Sequence, residues 1–439
     1  MKKIIILLSV FAVSFATISC DSMLDIEPEG KIIPKTVEDY RLVLTSAYSK
    51  YPLHKSMTAL RTDEITLNED TGDFISYREV AMWKDINPDQ ATVQFPWVSF
   101  YTVIFYTNQI INEGQKTMET SPEKDQLLAE AYALRAYAYF DLVNLFGKPY
   151  NSSTSGQDRG VPLNLEIDLE KTLKPSSVQE VYNQINADLA QANTLMVLNE
   201  QPTGINYRFS KAALHAFEAR VSLYQNNWKK ATEFADEALT IKNKLVDLNT
   251  SKLAPNHFTS PESILALDNT MNNAVQYMGF VSNELLSTYD ATIDKRFPVY
   301  FEKKGSKYKV IKGGNSEFKT SFRVAELYFI KAESLLKLNQ LDEAKTVLSV
   351  VLKNRYSAEG LTKIQENIAK MNASEFMTFI LDERNREFAL EGQRWYDLRR
   401  ANQKKITHQV SGKEYILQEN DVRYTIEIPH KAKLNNPYL

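Results

Sequence analysis

The chain is poor in the residues that most small-site chemistry needs. It has 439 residues and one cysteine, Cys20, which excludes an intramolecular disulfide and any cysteine-built metal site. Its 14 glycines and 15 prolines are too few for a β-sandwich or a disordered chain, both of which consume turn residues. The histidines at 54, 215, 257, 408 and 430 lie far apart, with no metal-ligand spacing. No phosphate-binding glycine loop, HExxH or nucleophile elbow occurs. A net charge of −3 and a pI near 6.1 leave no electrostatic footprint for nucleic acid.

What is present describes an ordinary globular protein. Hydrophobic content is 43% and charged content 24%; the length suits one large domain or two fused halves. Aromatics are plentiful, with 23 Tyr, 21 Phe and 4 Trp, and tyrosine suits surfaces that need a flat apolar face and a polar tip. Residues 1–20 read as a targeting segment, kept out of the fold argument. Lys2 and Lys3 precede the apolar run Ile4 to Ile18, which is short of the ~20 residues of a membrane span. Thr17-Ile18-Ser19-Cys20 resembles the lipid-acceptor boundary of a bacterial lipoprotein, with Cys20 as the anchor and acyl chains holding the membrane. The alternative is a secreted protein whose cysteine is cut away, since Thr17 and Ser19 are small. Residues 21–30, with Asp21, Asp25, Glu27 and Glu29, read as a polar tether.

Helical periodicity dominates the remainder. Trp97, Tyr101, Ile104, Asn108 and Ile111 form one helix face. Asp125 to Phe146 is apolar nearly all round, which predicts a helix buried between neighbours and stopped by Gly147 and Pro149. An internal repeat then appears. Ala219, Leu223, Trp228, Ala231 and Ala238 match Ala332, Leu336, Leu341, Ala344 and Val351, each pair in the alanine-rich helix–turn–helix pattern of a tetratricopeptide unit. Tyr132 to Phe146 with Val178 to Leu195 reads as a degenerate third unit. The expected fold is therefore mainly α: helical hairpins interrupted by long irregular insertions at 51–96, 150–177, 247–315 and 407–439. A few strands are expected, at Ile264 to Leu267 and Tyr424 to Ile428. Loops of this length are usually functional.

Ile380 to Arg400 crowds ten charged side chains around Phe388, Leu390, Trp395 and Leu398. Asp382 and Arg386 stand four apart, acid first; Gly392 suits a left-handed cap, and Arg394 can open a new helix. The reading is a structural corner bound by Arg–carboxylate forks. Trp97, Trp228 and Trp395 sit at helix-packing positions and read as core. Trp83 lies in an irregular segment beside Phe74, Tyr77 and Asn87, where an exposed aromatic among polar groups suits a sugar ring; a loop tryptophan tucked onto the scaffold is the alternative. Asn273, Tyr277 and Tyr289 form a second candidate cluster. The oxygen-rich run Asn68 to Asp73 could wrap a calcium ion, but it departs from the EF-hand pattern and reads rather as a solvated acidic loop.

Several motifs, in order, resemble the SusD/RagB family of outer-membrane nutrient-binding lipoproteins. They are Trp97 to Asn108; Glu130, Leu134-Arg135-Ala136, Tyr139-Phe140-Asp141-Leu142 and Phe146-Gly147; Asp294 with Arg296; Arg323, Glu326 and Ala332-Glu333; Ile380 to Arg400; Ile428-Pro429; and Asn436-Pro437. The resemblance implies one α-helical domain over 31–439, its two parts meeting near residue 230, on a surface-exposed outer-membrane lipoprotein. It further implies a non-enzymatic protein without cofactors that captures oligosaccharides, or in some relatives peptides, above a TonB-dependent barrel. A glycoside hydrolase and a purely structural repeat adaptor are the readings from other classes. Ligand residues do not carry over, because the family builds its site from variable insertions.

Overall fold

The 3.6-residue apolar rhythm folds into paired helices joined by short turns. The computed structural model describes residues 33–167 and 172–439; Cys20, the 1–20 segment and the 21–30 tether lie outside them. Thr36–Leu439 forms one compact unit. In α1 (Val37–Ser49), Thr36 and Asp39 satisfy each other's backbone N–H in a capping box. Then come α2 (Phe74–Ala81) and α3 (Trp97–Gln109), the latter continuing as a π-helical turn through Gly114. α4 (Pro122–Phe146) starts on the Ser121 hydroxyl with proline in its first turn and stops at Gly147. It is buried on almost every side because its alanines let neighbours approach closely. α5 (Val178–Leu195) packs along it, and Arg135 on α4 grips Asp188 on α5 with two bonds of 2.6 and 2.8 Å.

The repeat is real down to its turns. α6 (Lys211–Tyr224) and α7 (Trp228–Ile241) are matched by α8 (Val324–Lys337) and α9 (Leu341–Leu352), with both helix starts offset by 113 residues. Asn226 and Asn339 hold equivalent turn positions with φ of 58° and 63°, a left-handed conformation that asparagine tolerates better than most residues. α10 (Ala358–Lys370), α11 (Ala373–Glu387) and α12 (Arg394–Ala401) complete the helical frame. Trp97 and Trp395 are core residues, and Trp228 is half-buried.

The insertions carry short strands: β1 (Ile65–Leu67), β2 (Ser263–Leu265), β3 (Gly279–Val281), β4 (Phe301–Lys304), β5 (Lys307–Val310), β6 (Phe322–Arg323), β7 (Ile406–Val410) and β8 (Lys413–Leu417). They pair antiparallel as β1–β3, β2–β6, β4–β5 and β7–β8, so β1–β3 stitches the first insertion to the third. The strand expected at Tyr424 to Ile428 does not form. Val422–Tyr424 is a 3-10 turn, and the Ile426 N–H is taken by the Leu145 carbonyl of α4 at 2.9 Å.

The charged segment is a corner, as its pattern predicts. Glu387 accepts from Arg323 at 2.6 Å, Arg355 at 2.9 Å and Arg296 at 3.3 Å; Glu383, Glu391 and Glu262 complete the lattice with Arg296, Arg323, Lys312 and Arg355. Asp294 closes on Arg296 at 2.7 Å. Burial opposes ionisation of Glu383, but Arg296 and Arg386 outweigh it and hold the carboxyl at about 2. Two local expectations are corrected. Arg386 pairs with Glu383, at 3.1 Å, because Asp382 faces solvent. α11 ends at Glu387, before Gly392, and the connecting turn uses left-handed Leu390 and Gly392. A Cβ on Gly392 would meet the Lys55 Cβ at 2.6 Å, so glycine is required there for space as well as for φ.

Candidate functional site

A cleft of about 770 Å³ opens between the segment after α2, the loop after α4, and the chain from Gln403 to Ile428, a volume ordinary for a small-molecule site. Its apolar lining includes Ile86 and Val422, both exposed, and the half-buried ring of Tyr415 on β8. Tyr415 is presented by a hairpin register that sets it opposite His408 on β7. His408 anchors the hairpin inward, its ring nitrogens 2.7 Å from the Ala81 carbonyl and 2.8 Å from that of Thr62. Burial pushes the His408 pKa down, against the pull of those carbonyls.

Two buried arginines fix the walls. Arg61 grips Asp85 with bonds of 2.7 and 3.0 Å and donates to the Arg423 carbonyl at 2.8 Å, joining opposite sides of the cleft. Arg399, from the charged corner, donates to the carbonyls of Asn144, Gly147 and Tyr424. It thus caps the C-terminal end of α4, where carbonyls lack helical partners and favour a cation, and ties it to the 424 segment. Burial lowers the pKa of the Arg399 guanidinium. Tyr424 stacks on Trp395 at 5.1 Å between centroids. The corner is structural, yet it shapes the cleft.

The residues proposed from sequence scatter. Trp83 reaches the cleft lining but is only 1% exposed. Its left-handed backbone turns the indole inward, where Nε1 donates to the Arg61 carbonyl at 3.0 Å and one face lies against His408, 4.4 Å between centroids. The expected exposed platform is therefore corrected to a buried wall. Phe74 and Tyr77 are buried on α2, with the Tyr77 hydroxyl accepting from Asn272 at 3.3 Å. Tyr289 is buried and donates to the Arg386 carbonyl at 2.6 Å. Asn87 and Asn273 are exposed and outside the cleft lining. Tyr277 is 68% exposed, with Lys309 donating to its carbonyl and lying 4.2 Å from the Phe280 ring centroid. The missed residues are Tyr415 and the 420–428 chain. Their one signal was the Asn420-Asp421 turn between two tyrosines.

Sequence spacing also hid a buried polar cluster. His54, Asp141 and Asp268 bring ligand-type atoms within 4.8 Å of one another. Each has protein partners: Asp141 accepts from Tyr51 at 2.8 Å and Tyr396 at 3.2 Å, Asp268 from Tyr137 at 2.6 Å, and His54 lies 3.2 Å from Asp141. Burial opposes the Asp141 charge, but His54 and Lys55 prevail and hold its pKa well down. The 68–73 loop gathers no comparable group among the described residues; Glu69 accepts from the Ser411 N–H at 2.6 Å.

Comparison with known proteins settles the family. A family described as "Starch-binding associating with outer membrane" matches residues 23–223, and the SusD family matches residues 217–439. The chain belongs to the SusD family. A SusD-like protein of Formosa agariphila is 27% identical over 516 aligned positions, covering 96% of each chain. A SusD superfamily protein from Bacteroides thetaiotaomicron superposes with a TM-score of 0.77 at 20% identity, over 92% of this chain and 98% of that one. A laminarin-binding SusD-like protein gives 0.63 at 19% identity, over 83% and 91%. The mainly helical, tetratricopeptide-like fold is thus that of the SusD superfamily. No helix among the described residues is long and apolar enough to cross a membrane.

Proposed function

We propose that this SusD-family chain is a non-catalytic, surface-exposed lipoprotein, anchored through Cys20. It captures oligosaccharide in the cleft and passes it to a TonB-dependent outer-membrane barrel. The observation that carries the reading is the cleft itself: Tyr415, Ile86 and Val422 offer flat and apolar surface beside hydrogen-bonding groups. A sugar ring needs both, an apolar face to stack and hydroxyls to satisfy. The starch-binding description of the family and the laminarin-binding relative support a glycan over a peptide.

The carboxylates argue against hydrolysis. Asp85, Asp421 and Glu427 line the cleft, and each is held by a cation: Arg61, Arg423 and Lys433. The Arg423 hydrogen bond keeps the Asp421 carboxyl well below the usual range, whereas a glycosidic general acid needs a raised pKa. Calorimetry of the purified full chain against glycan and oligopeptide panels tests the reading. Glycan binding without release of reducing sugar is expected, and Tyr415→Ala weakens it by about tenfold, the loss typical of a central aromatic contact. Binding confined to peptides, or to no glycan at all, overturns it.

A further inference from the structure

The charged groups of the cleft are nearly all spent on one another. Lys84 bonds Glu79 at 2.6 Å, Asp85 bonds Arg61 at 2.7 Å, Lys148 bonds Asp158 at 2.8 Å, Arg423 bonds Asp421 at 2.6 Å, and Glu427 pairs with Lys433. Arg159 is the exception. It lines the cleft, it is exposed, and its guanidinium has no ion pair or hydrogen bond among the described residues.

The backbone that presents Arg159 is pinned on both sides. Arg159 bridges Ser177, the Asp158 carbonyl accepts from the Val178 N–H at 2.9 Å, and the Gly160 N–H donates to the Ser176 carbonyl at 2.8 Å. A Cβ on Gly160 would come within 2.9 Å of the Ser176 oxygen, so the glycine permits this close approach. The pinned loop thus presents an uncompensated cation at the cleft, where an anionic group would meet it. Lys148, 66% exposed in its pair with Asp158, stands on the same loop, and a pair that exposed holds its cation weakly.

We infer that Arg159 receives a negatively charged substituent of the ligand, a uronate carboxylate or a sulfate ester, and that the cleft selects acidic glycans. A guanidinium meets either group with parallel N–H···O bonds, a geometry an ammonium does not offer. The cleft has no unpaired carboxylate among the described residues to repel such a ligand. The inference rests on the cleft being the glycan site.

The test is calorimetry of the full chain with a neutral glucan, a polyuronate fragment and a sulfated glycan fragment, at low and high salt. The acidic ligands are expected to bind at least about tenfold tighter than the neutral one, as one charge-assisted contact supplies. That preference shrinks as salt rises, and the arm that binds tighter distinguishes carboxylate from sulfate. Arg159→Gln is expected to abolish the preference by weakening the acidic ligands about tenfold more than the neutral glucan, and to keep the parent Tm; Arg159→Lys restores the preference in part. Neutral binding equal to acidic binding, or acidic binding unaffected by Arg159→Gln, overturns the inference while leaving the glycan reading intact. Failure to bind any of the three overturns the inference, and failure across the whole glycan panel overturns the glycan reading as well.

Discussion

Glu387→Gln is the substitution that separates a structural corner from a binding site. Glu387 is fully buried and accepts from Arg323, Arg355 and Arg296. The amide keeps the shape but removes the charge, and it turns an NH2 toward guanidinium groups that can only donate. Breaking a buried ion pair from one side costs about 3–5 kcal/mol. Arg355 and Arg323 keep Glu262, and Arg296 keeps Asp294 and Glu383, which places the loss toward the lower end. With an unfolding entropy of about 2.1 cal/mol/K per residue, the unit from Thr36 to Leu439 gives ~0.85 kcal/mol/K, so a loss of about 3 kcal/mol lowers Tm by about 4 °C. Scanning calorimetry of the full chain at neutral pH reads this directly. The sign with pH follows from the cations that hold Glu387 far below the usual glutamate value against its burial. Its stabilisation is full above the unfolded-state pKa of about 4.3 and fades as pH falls toward the folded value. Parent and variant therefore converge in acid. An unchanged Tm refutes the reasoning, and so does a variant that keeps its Tm but loses glycan.

Two other substitutions probe the interior, the second of them at a wall of the cleft. Glu64 is pushed up to about 7 by burial while accepting from the Leu390 N–H at 2.7 Å, so the folded state holds its proton. Its contribution is present below the unfolded pKa and lost as pH rises toward 7; the Tm of Glu64→Gln relative to the parent should climb between pH 5 and pH 8, and a flat difference contradicts this. Trp83→Ala removes a buried indole and should cost about 3–5 kcal/mol of stability in denaturant melts. A stable variant with a selective loss of glycan affinity would instead restore Trp83 as a ligand contact.

The scaffold was legible because helices report themselves locally. The alanine rhythm of Ala219 to Ala238 and Ala332 to Val351 carried the hairpins, and the polar turns held even the left-handed Asn226 and Asn339. Pairings between distant insertions leave no such trace: nothing near Ile65 announces Gly279 to Val281 as its partner. The site was harder still. Lys84 and Asp85 made Trp83 look solvent-facing, but one left-handed residue turns the indole into the core. Tyr289 looked available until the Arg386 carbonyl took its hydroxyl. Tyr415 looked ordinary, because its place in the cleft depends on Arg61 and Arg399 drawing the 424 segment onto the end of α4. The cleft draws Met82 to Ile86 from the first insertion, Arg159 from the second and Tyr415 with Asn420 to Ile428 from the fourth, and no lining residue comes from the third.

The central claim is that function resides in the cleft rather than in the exposed Tyr277 cluster. Parallel titrations of Tyr415→Ala and Tyr277→Ala with the glycan that binds the parent chain test it most directly. The account predicts an affinity loss of about tenfold for Tyr415→Ala and parent affinity for Tyr277→Ala. Loss in Tyr277→Ala with Tyr415→Ala unchanged would contradict it.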